Sequence, residues 1–265
     1  MAEYETITLD ATRAGVAIVT LNRPEKHNAF NAMVIAELTD AFENLRGEDH
    51  LRMVILRGNG KSFSAGADLD WMKAAAHYTQ RENEDDALAL AEMLRRLYEL
   101  PQMTLALVHG AAMGGGAGLV AACDVAVAMR SATFRFSEVR LGLTPATISP
   151  YVIEAIGPRM AKALFVTGES FDAAYAETIG LVQYTVADET EMATMEEHLS
   201  KLMFDTAPGA VAAAKALVHE VTGLEINASL SRETAKRIAA RRASDEGREG
   251  LAAFLEKRRP SWADG

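Results

Sequence analysis

Residues 111–124 read AAMGGGAGLVAACD. Glycine occupies four of the five positions from 114 to 118, where a helix is about to begin. A glycine inside a helix costs about 1 kcal/mol relative to alanine, so the cluster needs a reason. Small residues let a backbone approach a ligand closely. The N–H groups at a helix start are free donors in a positive field. Residues 54–68, VILRGNGKSFSAGAD, have the same form: an apolar strand, a loop of Gly, Ala and Ser, then a helix start. Two such loops facing each other would aim two N–H groups at one oxygen, which is an oxyanion hole. Tight helix–strand packing accounts for either loop alone. The pair, with an acid or base downstream, favours chemistry.

Outward from these loops, the pattern predicts strands over 4–10 and 16–21, then a helix from Asn31, a plausible N-cap, to about residue 48. A buried-type strand covers 52–58 and a polar-to-amphipathic helix 82–99. A strand over 103–108 leads into the glycines, and further strands cover 124–129 and 132–136. From Ser149 onward helices dominate, with one strand in LVQYTV (181–186). This is not the strict alternation of a doubly wound sheet. A core over 1–204 and a helical region over 205–265 fit best.

The 265 residues are 49% hydrophobic and 24% charged, the balance of an ordinary globular protein. The formal net charge of −10 argues against nucleic acid as the main ligand. It leaves room for a small anion held by a local basic patch. The single cysteine, Cys123, excludes an internal disulfide and points to a reducing, cytoplasmic setting. It sits in a small apolar run and reads as buried and inert. MAEYETITLD lacks the basic-then-apolar form of a signal peptide. No apolar run is long enough to span a bilayer.

Several familiar chemistries fail on spacing. Leu119 stands where a dinucleotide fingerprint needs its last glycine. Ser62 and Ser64 lie at the wrong offsets from Gly66 for a nucleophile elbow. The six histidines show no metal spacing, and His109 reads as a strand-end residue. The remaining acid–base candidate is Glu138, in FRFSEVRLGL, after a strand and before a turn. A lone glutamate there is usually just exposed. Its place after the strands that follow the glycine loop raises its standing.

LNRPEKHNAF (21–30), SFSAGADLDWM (62–72), GAAMGGGAGLVAACDVAVA (110–128), FRFSEVRLGLTPATISPYV (134–152) and FLEKRRPSW (254–262) resemble successive signatures of the enoyl-CoA hydratase/isomerase (crotonase) superfamily. The resemblance covers almost the whole chain. It implies an α/β fold, a spiral of strand–strand–helix turns with a helical C-terminal region used for trimers that commonly pair into hexamers. It implies an acyl-CoA substrate and no cofactor or metal beyond it. The N–H groups of Ala67 and Gly115 match the two oxyanion donors, and Glu138 matches a catalytic carboxylate. Arg23, Ala65, Asp68, Leu69 and Lys257 match regions that meet coenzyme A, with Ala65 at the position whose carbonyl contacts adenine. The basic run Lys257, Arg258 and Arg259 would act across a subunit boundary.

The pattern departs from the family at Gly118, which stands where typical hydratases carry a first glutamate. A single carboxylate is the pattern of several isomerases. SEVRLGLTPATISPYV, however, looks most like the branch hydrating methylglutaconyl-CoA or isohexenylglutaconyl-CoA. The resemblance thus implies a branched 2-enoyl-CoA hydratase in leucine or terpene breakdown. A double-bond isomerase is the alternative, and a non-catalytic acyl-CoA binder a third. Position 118 is expected to supply only space, for an ordered water or a branched substituent. Trp71, Met72, Met93 and Leu97 are candidates for the distal acyl pocket. Arg135, Arg140 and Lys73 are candidates to hold a second substrate carboxylate.

Overall fold

The computed structural model describes residues 3–264. Met1, Ala2 and Gly265, the outer ends of the two expected regions, lie outside the described residues. Two strands, β1 (Ile7–Asp10) and β2 (Val16–Leu21), open the fold and are followed by α1 (Ala32–Arg46). Next come β3 (Met53–Gly58), α2 (Leu69–Ala75), α3 (Gln80–Tyr98), β4 (Met103–Val108), β5 (Ala111–Met113) and α4 (Gly115–Ala122). Then follow β6 (Val125–Met129), β7 (Thr133–Arg135), α5 (Ser149–Thr167), β8 (Ser170–Asp172), α6 (Ala173–Thr178) and β9 (Tyr184–Val186). Helices α7 (Glu189–Asp205), α8 (Pro208–Val221), α9 (Ala228–Ala243) and α10 (Asp245–Glu256) complete the chain.

Six strands form one sheet in the order β1-β2-β3-β4-β6-β9, parallel except for the β1–β2 pair. A smaller sheet has the order β5-β7-β8. Each turn of chain therefore gives one strand to each sheet: β4 then β5, β6 then β7. An isolated parallel bridge between Ser64 and Ala112 gives the turn after β3 the same form. This is the expected spiral of strand–strand–helix turns.

The central strands are apolar on both faces because both faces are covered. Val54 and Leu56 of β3 point to one core with Val19, Leu38, Phe42 and Leu97. Met53 and Ile55 point to the other, with Val16, Leu105, Met192 and Leu199. Asn31 caps α1 as expected, its side chain accepting from the Val34 N–H at 2.9 Å.

The structure shortens some expected strands. The first begins at Ile7, because the Glu5 and Thr6 N–H groups donate to the Glu37 carboxylate at 2.7 and 2.8 Å. Strands β5 and β8 have three residues each, too few for a periodic signal. Helix α2 begins where the small-residue loop was expected to give way to a helix, at the Asp68 cap, whose carboxylate accepts from the Asp70 N–H at 2.8 Å.

Beyond Ser200, Ala253 and Ala263 are the only buried side chains among the described residues. Helix α8 meets the core through Lys215, whose Nζ lies 2.6 Å from Asp124 Oδ2 and donates to the Gln102 carbonyl at 2.8 Å. His219 stacks on Tyr98 with ring centroids 4.1 Å apart. Meanwhile Leu251, Phe254 and Leu255 of α10 are 54%, 81% and 77% exposed. Among the described residues, no helix is long and apolar enough to cross a membrane.

Candidate active site

The segment Phe63–Asp68, bent at Phe63 and Gly66, runs as a rail between two neighbours. On one side, Phe63 N–H donates to the His109 carbonyl, Ser64 N–H to Ala111, and Met113 N–H to Ser64, each at 2.9 Å. On the other, Phe30 N–H donates to the Gly66 carbonyl at 2.6 Å and Asp68 N–H to Phe30 at 2.8 Å. The two small-residue loops are thus zipped together by backbone hydrogen bonds. The Ala67 and Gly115 N–H groups have no acceptor among the described residues. Gly115 is the first residue of α4, where the N–H has no helical partner. Both residues line one cavity of about 530 Å³, together with Glu138.

Each of the four glycines has its own reason. Gly114 has φ +49°, a conformation L side chains rarely adopt, and an added Cβ would lie 3.1 Å from Glu138 Oε1. At Gly115 a Cβ would press on the Phe30 ring at 3.1 Å. At Gly116 it would meet Ser64 Cβ at 2.7 Å, so this glycine lets α4 touch the rail. Gly118 is buried against Ile148, whose Cγ2 would be 2.3 Å from an added Cβ. The expectation that position 118 supplies space is therefore corrected: Ile148 fills it, and Ile148, not Gly118, lines the cavity.

Glu138 opens a 3-10 turn, Glu138–Leu141, immediately after β7 and Ser137. The turn is closed by Leu143 N–H donating to the Glu138 carbonyl at 3.0 Å. Its carboxyl oxygen Oε2 is buried without a hydrogen-bond partner. Burial pushes the Glu138 carboxyl above the ordinary glutamate value, opposed in part by its own backbone N–H. A half-buried acid with an open oxygen, beside two unpaired N–H groups, can move a proton to or from a bound carbonyl compound.

The other expected contacts divide. Ala65 lines the cavity, and its carbonyl is taken by no donor among the described residues. Arg23 and Asp68 meet each other at 2.8 Å, and Arg23 also donates to the Ala29 carbonyl at 2.7 Å. The Asp68 carboxylate, with one oxygen on Arg23 and the other on the α2 start, positions the rail. It is held below the ordinary aspartate value: the Asp70 N–H and Arg23 together outweigh its burial. Leu69 is 72% exposed and does not line the cavity. Lys257 caps α10 with φ +57° and also lies off this lining. Arg258 is committed to Glu249 and Glu256, and Arg259 to Asp205.

Trp71 and Met72 line the cavity, whereas Met93 and Leu97 are fully buried core residues. Of the candidates for a second carboxylate, none lines it. Arg135 and Arg140 both donate to the Gly168 carbonyl, at 2.8 and 2.9 Å, and Lys73 is exposed and pairs with Asp70. His109 ends its strand, 3.0 Å from the Gly60 carbonyl. Cys123 is partly buried at the end of α4, with its thiol pushed up by burial and by Asp124. No group of three potential metal ligands converges among the described residues. Asn83 and Asp86 fall within the stretch 71–100 expected to supply the distal pocket, though sequence reasoning singled out neither, and it missed Ile148. Their contribution depends on how α3 and α5 pack, which no local pattern records.

Known proteins share this fold. The enoyl-CoA hydratase/isomerase family model matches residues 11–265. A Legionella pneumophila structure of the enoyl-CoA hydratase/isomerase (crotonase) type is 45% identical, with a TM-score of 0.91, over 97% of this chain and 98% of that one. An enoyl-CoA hydratase from Shewanella pealeana is 36% identical with a TM-score of 0.94, over 98% of this chain and 97% of that one. A Thermus thermophilus protein named for enoyl-CoA hydratase is 34% identical over 245 residues, 92% of this chain and 96% of its own. The family-model match, with a likeness in sequence and fold that runs along nearly the full length of these proteins, places the chain in the enoyl-CoA hydratase/isomerase (crotonase) family.

Proposed function

We propose that the protein adds water reversibly across the double bond of a 2-enoyl-CoA, with Ala67 and Gly115 as oxyanion donors and Glu138 as the acid–base group. The observation that carries this is the unpartnered Glu138 Oε2 in one cavity with two unpaired N–H groups. The thioester oxygen sits between the N–H groups and gains negative charge as the β-carbon is attacked. Donors aimed at developing charge in a water-poor site are the strongest single aid to such a step. Glu138 takes a proton from water as its oxygen bonds to the β-carbon, leaving an enolate. The same carboxylic acid then returns the proton to the α-carbon. Proton and electron pair balance without a cofactor beyond the coenzyme A of the substrate.

The sequence points to a branched glutaconyl chain, as in methylglutaconyl-CoA or isohexenylglutaconyl-CoA. The single-chain cavity supports a bulky chain better than a second carboxylate, because its two charged lining residues, Asp86 and Glu138, are both acids. A double-bond isomerase is the second reading. It is favoured by the contact of Ile148 over Gly118, which leaves no place on α4 for another carboxylate. The exposed apolar face of α10 supports self-association as a trimer or hexamer, and the lone thiol a cytoplasmic setting. Turnover of an acyl-CoA panel, with products resolved as hydrated, isomerised or unchanged, tests the reading. Hydrated product is expected. Isomerised product alone would favour the second reading, and an unchanged panel a binding protein.

A further inference from the structure

One wall of the cavity comes from α2 and α3. Trp71 and Met72 of α2 and Ala87 and Leu90 of α3 make it largely apolar. Asp86 and, at its exposed rim, Asn83 are the polar exceptions. The Trp71 indole N–H donates to Asp86 Oδ1 at 3.1 Å, which orients the carboxylate and spends the only indole donor on this wall. Asp86 Oδ2 has no partner among the described residues. The Asn83 amide nitrogen is committed to the Tyr78 and Thr79 carbonyls, at 3.3 and 3.2 Å, leaving its oxygen as an acceptor. The wall thus offers acceptors without a free donor, and no Lys, Arg or His lines the cavity.

We infer that this wall selects acyl-CoA substrates whose chain carries a distal hydroxyl, received by Asp86 Oδ2. The inference rests on reading the cavity as the acyl pocket. A methyl-ended chain would strip water from Asp86 and return nothing, and a desolvated acceptor without a partner is costly. A carboxylate-ended chain would place like charges together. A hydroxyl donates to the open oxygen. A site arranged to hydrogen-bond a substrate hydroxyl rejects the analogue lacking it far more strongly than an apolar pocket rejects a change of one methylene.

The test is calorimetric titration with saturated, non-reacting acyl-CoAs of matched length, ending in methyl, hydroxyl or carboxylate, in a series from short to medium chains. The hydroxyl form is expected to bind about tenfold or more tighter than the methyl form at the best length, with the carboxylate form weakest. Asp86→Leu removes both acceptor oxygens at a similar volume. The preference for hydroxyl over methyl should collapse, and the carboxylate form should gain. Trp71→Phe, which frees Asp86 to rotate, should weaken the preference in the same direction. Equal binding of methyl and hydroxyl forms, tightest binding of the carboxylate form, or a preference that survives Asp86→Leu would overturn the inference. Because the readout is affinity, a failure of the hydratase reading appears in turnover and a failure of this one in the titration.

Discussion

A Cβ added at Gly118 would lie 2.3 Å from Cγ2 of Ile148, closer than any two side chains can stand. Ile148, 1% exposed, occupies the room that the missing side chain would need. Gly118→Ala should destabilise the protein by about 1–3 kcal/mol through overpacking. Combined with Ile148→Ala, the two losses should be less than additive, with a coupling of at least about 1 kcal/mol. Urea unfolding of the four proteins in the cycle measures it. Strict additivity would show that the two residues do not compete for one space. Gly118→Glu alone should fail to place a second carboxylate in the cavity.

Glu138→Gln keeps the shape and removes the base. Turnover should fall by about 100- to 10,000-fold, the range of general acid–base catalysis.

The pH profile follows from the direction of the Glu138 shift. The carboxylate is the active base, and burial raises its pKa above 4.5. Activity should therefore fall on acidification at a pH above the ordinary glutamate value. The folded protein also holds this proton more tightly than the unfolded chain. Its contribution to stability thus declines as pH rises between the two pKa values and stays unfavourable above them. Glu138→Gln should remove the acidic limb of residual activity and raise the melting temperature at neutral pH. A wild-type limb at or below the free-glutamate value would contradict the assignment.

Gly115→Pro deletes one oxyanion donor at the first position of α4, where a helix tolerates proline. Loss of such a donor typically costs about 100- to 1,000-fold in turnover. Gly115→Ala is the control, since it presses on Phe30 in the same way but keeps the N–H. A folded proline variant no slower than the alanine variant would remove Gly115 from the oxyanion hole.

Asp68→Ala breaks the Arg23 pair and the α2 cap together. The expected loss is about 1–3 kcal/mol, the combined scale of a lost cap and an unpaired, largely buried guanidinium. Because Asp68 follows Ala67 on the rail, turnover should fall with it. Chemical denaturation and kcat on the same preparation check both, and wild-type values for both would show that the pair does not position the loop.

Phe254→Asp with Leu255→Asp places charge on the exposed apolar face of α10. Sedimentation at micromolar concentration should show an oligomer for the wild type and a smaller species for the double variant. A monomeric, fully active wild type would refute the proposed assembly.

Sequence alone determined the parts of the molecule that depend on local chemistry. The apolar runs of β3 and β4 and the Asn31 cap are visible in a few consecutive residues, as are the two loops of small residues. Five motifs in order extended that reading to the family and to Ala67, Gly115 and Glu138. Only the tertiary structure decided what stands beside them. Gly118 reads as empty space until α5 brings Ile148 over it, 30 residues away. Nothing local in the sequence pairs Arg23 with Asp68; the fold does, at 2.8 Å. Arg135 and Arg140 read as free cations until both turn to the Gly168 carbonyl, while Asp86 reads as one acid in a charged helix until Trp71 holds it on the cavity wall. Backbone conformation and periodicity are set by near neighbours in the chain, whereas a side chain's role is set by whatever the fold packs against it.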